Sequence, residues 1–264
     1  MKNNGAGESP NKSLAKALEV LDAFSAQHPE RGIRELGRAL GINPTTVYRI
    51  ARTLVEAGYM EQNPETQNYS LGPKVLKLAN IYNYHFPLPT IAKRVFESYE
   101  DRFEHNFYLA TLNHYEVIYL AVHSGRGPLK VAAEPGLSLP LHSNALGKLL
   151  LAQKSDEFIK GFLTNTSLTS FTSRTISDPK MLWDQLMEAR IKGFAINDGE
   201  QYDAIGAVAV ILYGGKKQLL NLALSLTYPR HYVHDGTLTI PDLIELGREI
   251  ADELTQRCDL SSFI

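Results

Sequence analysis

Residues 32–71 read GIRELGRALGINPTTVYRIARTLVEAGYMEQNPETQNYSL. Ile33, Leu36 and Leu40 recur at helical spacing until Gly41-Ile42-Asn43 breaks the run. Asn43 is suited to cap a second helix, since its side-chain oxygen can accept a first-turn amide. Pro44 at the first helical position gives up no hydrogen bond. Val47, Ile50, Ala51 and Leu54 then follow the i, i+3, i+4, i+7 pattern of a buried face. Thr45, Tyr48, Arg49 and Arg52 gather on the opposite side, with Thr46 beside them in the first turn. That side carries two forked cations, hydroxyls and a phenol, with no acid among them. Arginine donates in pairs to guanine edges or phosphates, and a helix fits the major groove. After Gly58, residues 59–62 and 69–71 flank a polar tip, Asn63-Pro64-Glu65-Thr66-Gln67-Asn68, the pattern of a hairpin. Gln67 and Asn68 in this wing are expected to reach a neighbouring phosphate. A small helical subdomain with a solvated arginine face is the plainer alternative. The cap-proline start, the acid-free face and the wing favour a winged helix-turn-helix that binds double-stranded DNA.

The chain has 264 residues, enough for two domains that each bury a core. Its formal net charge of −2 supplies no global positive field, so DNA affinity must come from a local patch and from dimerisation. Cys258 is the only cysteine, which excludes intramolecular disulfides and cysteine cages for metals. No apolar run approaches the ~20 residues of a membrane span. The start, MKNNGAGESPNK, lacks an apolar signal core, and the expected location is the cytoplasm.

The expected organisation is α+β: a winged-helix domain over 12–72, a linker helix over 73–89 and an α/β domain over 90–264. Residues 1–11 are polar and read as disordered. Leu14, Ala17, Leu18, Leu21 and Phe24 give an amphipathic first helix, with Ser13 as its cap. In the linker, Val75, Leu78, Ala79 and Tyr82 share one face while Leu76 and Ile81 point elsewhere. A helix apolar on more than one side needs more than one packing partner, which points to a linker joining two subunits as well as two domains, or else to a helix buried inside one chain. Pro87 and Pro89 force a break. A helix over 90–104 and strands over 107–111, 117–121 and 129–132 follow. Helices are expected over 143–152, 156–163 and 178–191, strands over 194–197, 207–212 and 219–226, and a closing helix near Pro241. No Gly-rich phosphate loop accompanies these elements, so no nucleotide is expected.

The winged helix, the linker and Leu139-Pro140-Leu141-His142-Ser143-Asn144-Ala145-Leu146-Gly147-Lys148-Leu149-Leu150-Leu151-Ala152 together resemble the IclR family of bacterial transcription regulators. Gly193-Phe194-Ala195-Ile196-Asn197-Asp198-Gly199-Glu200 is a second matching stretch. The resemblance implies a GAF-like C-terminal domain that binds a small-molecule effector, and dimers or tetramers on a palindromic operator. It maps effector contacts onto Val131, Leu139, Ala145, Leu146, Asn197, Ala207, Ser225 and Thr227. A physical reading supports part of this. Ser143, Asn144 and the following amides open a helix, whose N-terminus favours a carboxylate. Ser225 and Thr227 alternate along a strand, so both hydroxyls face one side. Family members often carry a Cys-containing run ending Ala-Ala-Pro, where this chain has Gly206-Ala207-Val208-Ala209-Val210-Ile211. The smaller, more apolar wall at Ala207 points to an effector bulkier than a two- or three-carbon acid.

An enzyme fused to a DNA-binding domain is the main alternative. Asp198, Glu200 and Asp203 cluster in sequence and Ser143 follows His142, but chain neighbours seldom face each other as nucleophile and base. His142 reads as a structural histidine, and Glu200 as a hydrogen-bonding or pocket-closing group. His231 and His234 offer metal-ligand spacing with only Asp235 as a third candidate. A purely architectural DNA binder has no use for the large second domain. The expectation is therefore a regulator without catalytic residues, cofactor or metal.

Overall fold

A computed structural model describes residues 11–25, 27–131, 133–214, 218–258 and 260. The chain divides into two compact units between His85 and Phe86.

The first unit contains helices α1 (Lys12–Asp22), α2 (Ile33–Leu40) and α3 (Pro44–Glu56), the hairpin β1 (Met60–Gln62) and β2 (Tyr69–Leu71), and helix α4 (Lys74–His85). Val20, Leu36, Ile42, Val47, Ala51, Met60 and Tyr69 form its core. Gly41 sits at φ +65°, where a side chain is disfavoured, and this turns α2 into α3. The Asn43 side chain accepts from Thr45 N at 2.9 Å. Arg31 and Tyr69 exchange two 2.9 Å backbone hydrogen bonds, which tie the wing to the segment before α2.

Two expectations for α1 are corrected. Asn11, and not Ser13, caps it, accepting from Ser13 N and Leu14 N at 3.0 and 3.1 Å. Val20 is the buried residue, while Leu14 and Leu18 are 58% and 53% exposed. The contacting face is centred on Ala17, Val20 and Phe24, so Leu14 and Leu18 lie at its edge. Helix α4 has no buried residue within its own unit. Of the segment expected to be disordered, only residue 11 falls among the described residues.

The second unit begins with helix α5 (Leu88–Tyr99), followed by strands β3 (Asn106–Asn113), β4 (Glu116–His123) and β5 (Ser138–Pro140). Helices α6 (Ala145–Ala152), α7 (Asp156–Asn165) and α8 (Pro179–Lys192) come next. Strands β6 (Phe194–Asp198), β7 (Ile205–Tyr213) and β8 (Leu219–Pro229) precede helices α9 (His231–His234) and α10 (Ile240–Arg257). The six strands form one sheet in the order β5-β4-β3-β8-β7-β6, with every neighbouring pair antiparallel. Alternation along β7 decides what lies on each face. Val208, Val210 and Leu212 pack toward α5 and α10, while Ala207, Ala209 and Ile211 pack toward α6, α7 and α8.

Three boundaries differ from expectation. Helix α5 stops at Tyr99, because Phe103 turns back into the core at 3% exposure. Residues 129–131 do not form a strand, and Ala132 lies outside the described residues. Leu129 O instead accepts from Asn106 Nδ2 at 3.3 Å, and Lys130 Nζ reaches Gly125 O at 2.8 Å. The edge is filled by β5, where Pro140 is tolerated because an edge position needs no donor on its outer side. Helix α6 begins two residues later than expected, with Asn144 as its cap.

Candidate functional site

Helix α3 presents Thr45, Tyr48, Arg49 and Arg52 to solvent, while Thr46 is half-buried. The face is not free of acid. Arg52 Nε lies 3.2 Å from Glu56 Oε1, one turn along the helix. Both groups are exposed, and such a pair is worth only about 0.3–0.5 kcal/mol. Among the described residues Arg49 has no ion-pair partner. In the wing, Gln67 adopts φ +59° and its side chain is committed to the tip. Its Nε2 donates to Pro64 O at 2.7 Å and its Oε1 accepts from Gln62 Nε2 at 3.0 Å. Asn68 is half-buried, with Oδ1 close against Gly32. Gln67 is thus a brace of the hairpin, and the outward groups of the tip include Glu65 and Thr66.

The second unit holds a cavity between the sheet and α6 that is partly open to solvent. Its sheet side includes Tyr108, Tyr119, Asn197, Ala207, Ser225 and Thr227. Asn144, Ala145 and Leu146 contribute from the start of α6, and Val131, Ala133, Leu137 and Leu139 from the segment leading to it. Gln201 and Tyr202 from the loop between β6 and β7, with Ile205 at the start of β7, complete the lining. Every expected effector residue therefore meets here except Ser143. That serine is fully buried away from the cavity, its Oγ has no partner, and its carbonyl accepts from Asn197 Nδ2 at 3.3 Å.

Asn144 organises the polar end. Its side chain accepts from Gly147 N at 2.7 Å and donates to Pro140 O, and its carbonyl accepts from Lys148 N at 3.1 Å. A side chain at Gly147 would collide with the Leu141 backbone, so glycine lets the Pro-Leu-His segment fold against α6. With Gly147 and Lys148 satisfied, the amides of Ala145 and Leu146 remain as first-turn donors at the cavity. None of the lining side chains carries a charge.

Behind the cavity, Lys148 and Glu200 form a buried ion pair, and Lys148 Nζ also contacts Gln185 Oε1 at 3.1 Å. Burial pushes the Glu200 carboxyl up and the Lys148 ammonium down from their usual ranges, and each partner's charge opposes the shift. Glu200 O accepts from Thr175 Oγ1 at 2.5 Å, and Glu200 N donates to Asn197 Oδ1 at 2.8 Å. Arg174 and Arg230 hold Asp198 at 3.3 and 3.5 Å, and Arg174 holds Asp203 at 3.5 Å. These contacts fasten the loop that supplies Gln201 and Tyr202. The three carboxylates are thus engaged in ion pairs, Glu200 with Lys148 and the two aspartates through a shared Arg174. His142 Nε2 meets Thr169 O at 2.9 Å, and its ring stacks on Phe171. His234 lies 3.4 Å from Asp198, and His231 packs edge-on against Tyr232. Among the described residues no three His, Cys, Asp or Glu side chains stand close enough together to hold a metal.

Tyr108, Tyr119, Ala133, Leu137, Gln201, Tyr202 and Ile205 were not anticipated as lining. Alternation in β3 places Tyr108 on the face of Ala110, but only the register with β8 shows that this is also the face of Ser225.

The family model for the bacterial transcriptional regulator IclR C-terminal domain matches residues 82–256, and that for the IclR helix-turn-helix domain matches residues 13–64. The chain belongs to the IclR family. It is accordingly a transcriptional regulator with a helix-turn-helix DNA-binding domain and a C-terminal effector domain. An IclR relative, the Pca regulon regulatory protein of Pseudomonas putida, is 28% identical over 92% of this chain and 84% of its own. A putative IclR regulator from Silicibacter sp. TM1040 is 30% identical, with a TM-score of 0.80 over 92% of this chain and 96% of that one. An IclR homologue from Microbacterium hydrocarbonoxydans, solved in complex with 4-hydroxybenzoate, is 23% identical. It has a TM-score of 0.73 over 92% of this chain and 98% of that one, and shares the fold. Among the described residues no helix is long and apolar enough to cross a membrane.

Proposed function

We propose that the protein is a cytoplasmic, homo-oligomeric regulator that binds a palindromic operator and releases or tightens on it when a small organic acid, aromatic in character, fills the cavity. The observation that carries this reading is an uncharged cavity whose polar end is the start of α6. Ala145 and Leu146, in the first turn of α6, line the same volume as Ser225 and Thr227. Helix N-terminal amides favour a carboxylate without a cationic side chain. The small wall at Ala207 and the phenol rings of Tyr108 and Tyr119 suit a flat ring. The bound acid named for one structural relative is in keeping with this chemistry. On DNA, Thr45, Tyr48, Arg49 and Arg52 enter the major groove, Thr46 supports the first turn, and Asn68 with the wing backbone approaches a neighbouring phosphate. No catalytic step is assigned, because Ser143, His142 and the nearby carboxylates serve the packing of α6 and the β6–β7 loop.

A thermal-shift screen of the full chain against small carboxylates and aromatic acids tests the reading. Stabilisation follows RT ln(1 + [L]/Kd), so millimolar ligand reports even weak binding. An acid that both stabilises the chain and changes operator affinity supports the proposal. An acid that stabilises without changing operator affinity removes the regulatory part. A panel with no stabilising acid removes the acid-sensing part.

A further inference from the structure

One residue of the cavity wall carries a buried hydroxyl that no described residue bonds. Tyr108 is 2% exposed, it lines the cavity, and among the described residues its phenolic oxygen has no hydrogen-bond partner. Buried hydroxyls are almost always satisfied, and an unsatisfied one is costly. Burial pushes this phenol well above its ordinary pKa, so it is a neutral group with a proton to donate.

Its place in the sheet says where that proton is offered. Tyr108 lies opposite Ser225 on β8 and opposite Val122 on β4. The ring stacks on Tyr119, a β4 residue, with centroids 5.0 Å apart and planes at 27°. The ring is thus neighboured by Tyr119 of β4. The polar residues of the wall fall on different elements: Ser225 and Thr227 on β8 with the start of α6, and Tyr108 one strand over on β3.

We infer that Tyr108 is a specificity residue that donates a hydrogen bond to a second oxygen on the effector, so that the ligand is a small aromatic acid bearing a hydroxyl or further acid group away from its carboxylate. This rests on the reading of the cavity as an acid-binding effector site.

Calorimetric titration of the full-length chain with benzoate, 4-methylbenzoate, and 3- and 4-hydroxybenzoate tests it. One hydroxybenzoate is expected to bind about tenfold more tightly than benzoate, the scale of one added hydrogen bond in a dry site. Tyr108→Phe keeps the ring and removes only the hydroxyl. The variant should bring that preference to about unity. If the variant lowers all four affinities equally, or leaves the preference intact, the Tyr108 assignment falls and the acid-binding cavity stands. If wild type binds none of the four, the aromatic-acid reading fails and takes this inference with it. Should Tyr108→Phe misfold, the wild-type series still decides. Equal affinity for 4-methylbenzoate and both hydroxybenzoates overturns the inference, because the methyl group fills similar space without an oxygen.

Discussion

Arg49 and Arg52 stand on the same face of α3, but only Arg52 has an acid beside it. Arg49→Ala should therefore cost about 1–3 kcal/mol of operator affinity and relax base preference at one position, measured by binding titrations on operator variants. Arg52→Ala should cost less, because its gain on DNA is offset by releasing Glu56. Unchanged affinity in Arg49→Ala would show that another face of the unit meets DNA. His105 supports a different prediction. It is 3% exposed, its ring packs edge-on against Phe103 and Tyr232, and Nδ1 has no partner. Burial holds its pKa below the ordinary 6.5, and the nearby Glu104 carboxylate only partly opposes this. A base with a lowered folded pKa is bound by protons more readily in the unfolded chain. Its contribution is present above pH 6.5 and is lost as pH falls toward and through the folded value. Urea unfolding should show stability falling by no more than about 1.4 kcal/mol per pH unit from this group. His105→Gln should flatten that part of the profile. The outward place of Arg49 and the shared side of Ser225 and Thr227 were readable from periodicity, whereas the link of those two residues to an effector came from the family resemblance. Glu56 beside Arg52, the Gln67 brace across the wing tip and the Tyr108 hydroxyl were not readable, because each depends on a rotamer or a strand register that spacing does not specify.

At the level of elements, the start of α6 bears most of the second unit's function, and Asn144 is its fastening. One side chain caps the helix through Gly147 N and holds Pro140 O. Asn144→Ala should destabilise the chain by about 1–2 kcal/mol in urea unfolding, the range of a lost N-cap. It should also weaken acid binding by loosening the Ala145 and Leu146 amides. Asn144→Asp keeps the cap acceptor while removing the donor to Pro140, so it should recover stability but place a negative charge beside the carboxylate and bind worse still. A variant that loses stability with no change in acid affinity would dissociate the helix start from the ligand. The elements themselves were mostly legible: capping residues and prolines placed the starts of α3, α7, α8 and α10 to within two residues. The misplaced strand at residues 129–131 was apolar enough to pair. It lost its place because Asn106 and Lys130 satisfy that loop by side-chain bonds, which leaves the edge of β4 to β5. Neither interaction leaves a periodic trace.

For the molecule as a whole, α4 is the helix left most exposed to solvent. Leu76 is 63% exposed and Tyr84 85% exposed, and none of its residues is fully buried. Leu14 and Leu18 of α1 are likewise uncovered. Isolated surface leucines are ordinary, but a whole helix with exposed apolar residues on more than one side is not. In the proposed homo-oligomer a second copy of the chain would cover them. A single winged helix with a net charge of −2 behind it gains little affinity alone, whereas two held together would read both halves of a palindrome. Leu76→Glu combined with Tyr84→Glu should shift the chain toward monomer in light scattering. The same variant should lose operator affinity by more than about tenfold while retaining the acid-induced thermal shift, since the cavity lies within one subunit. Retained oligomers in the double variant would place the subunit interface away from α4. Monomers that still bind the full operator as tightly as wild type would mean that the two half-sites are not coupled through the protein, and the palindrome would lose its physical reason.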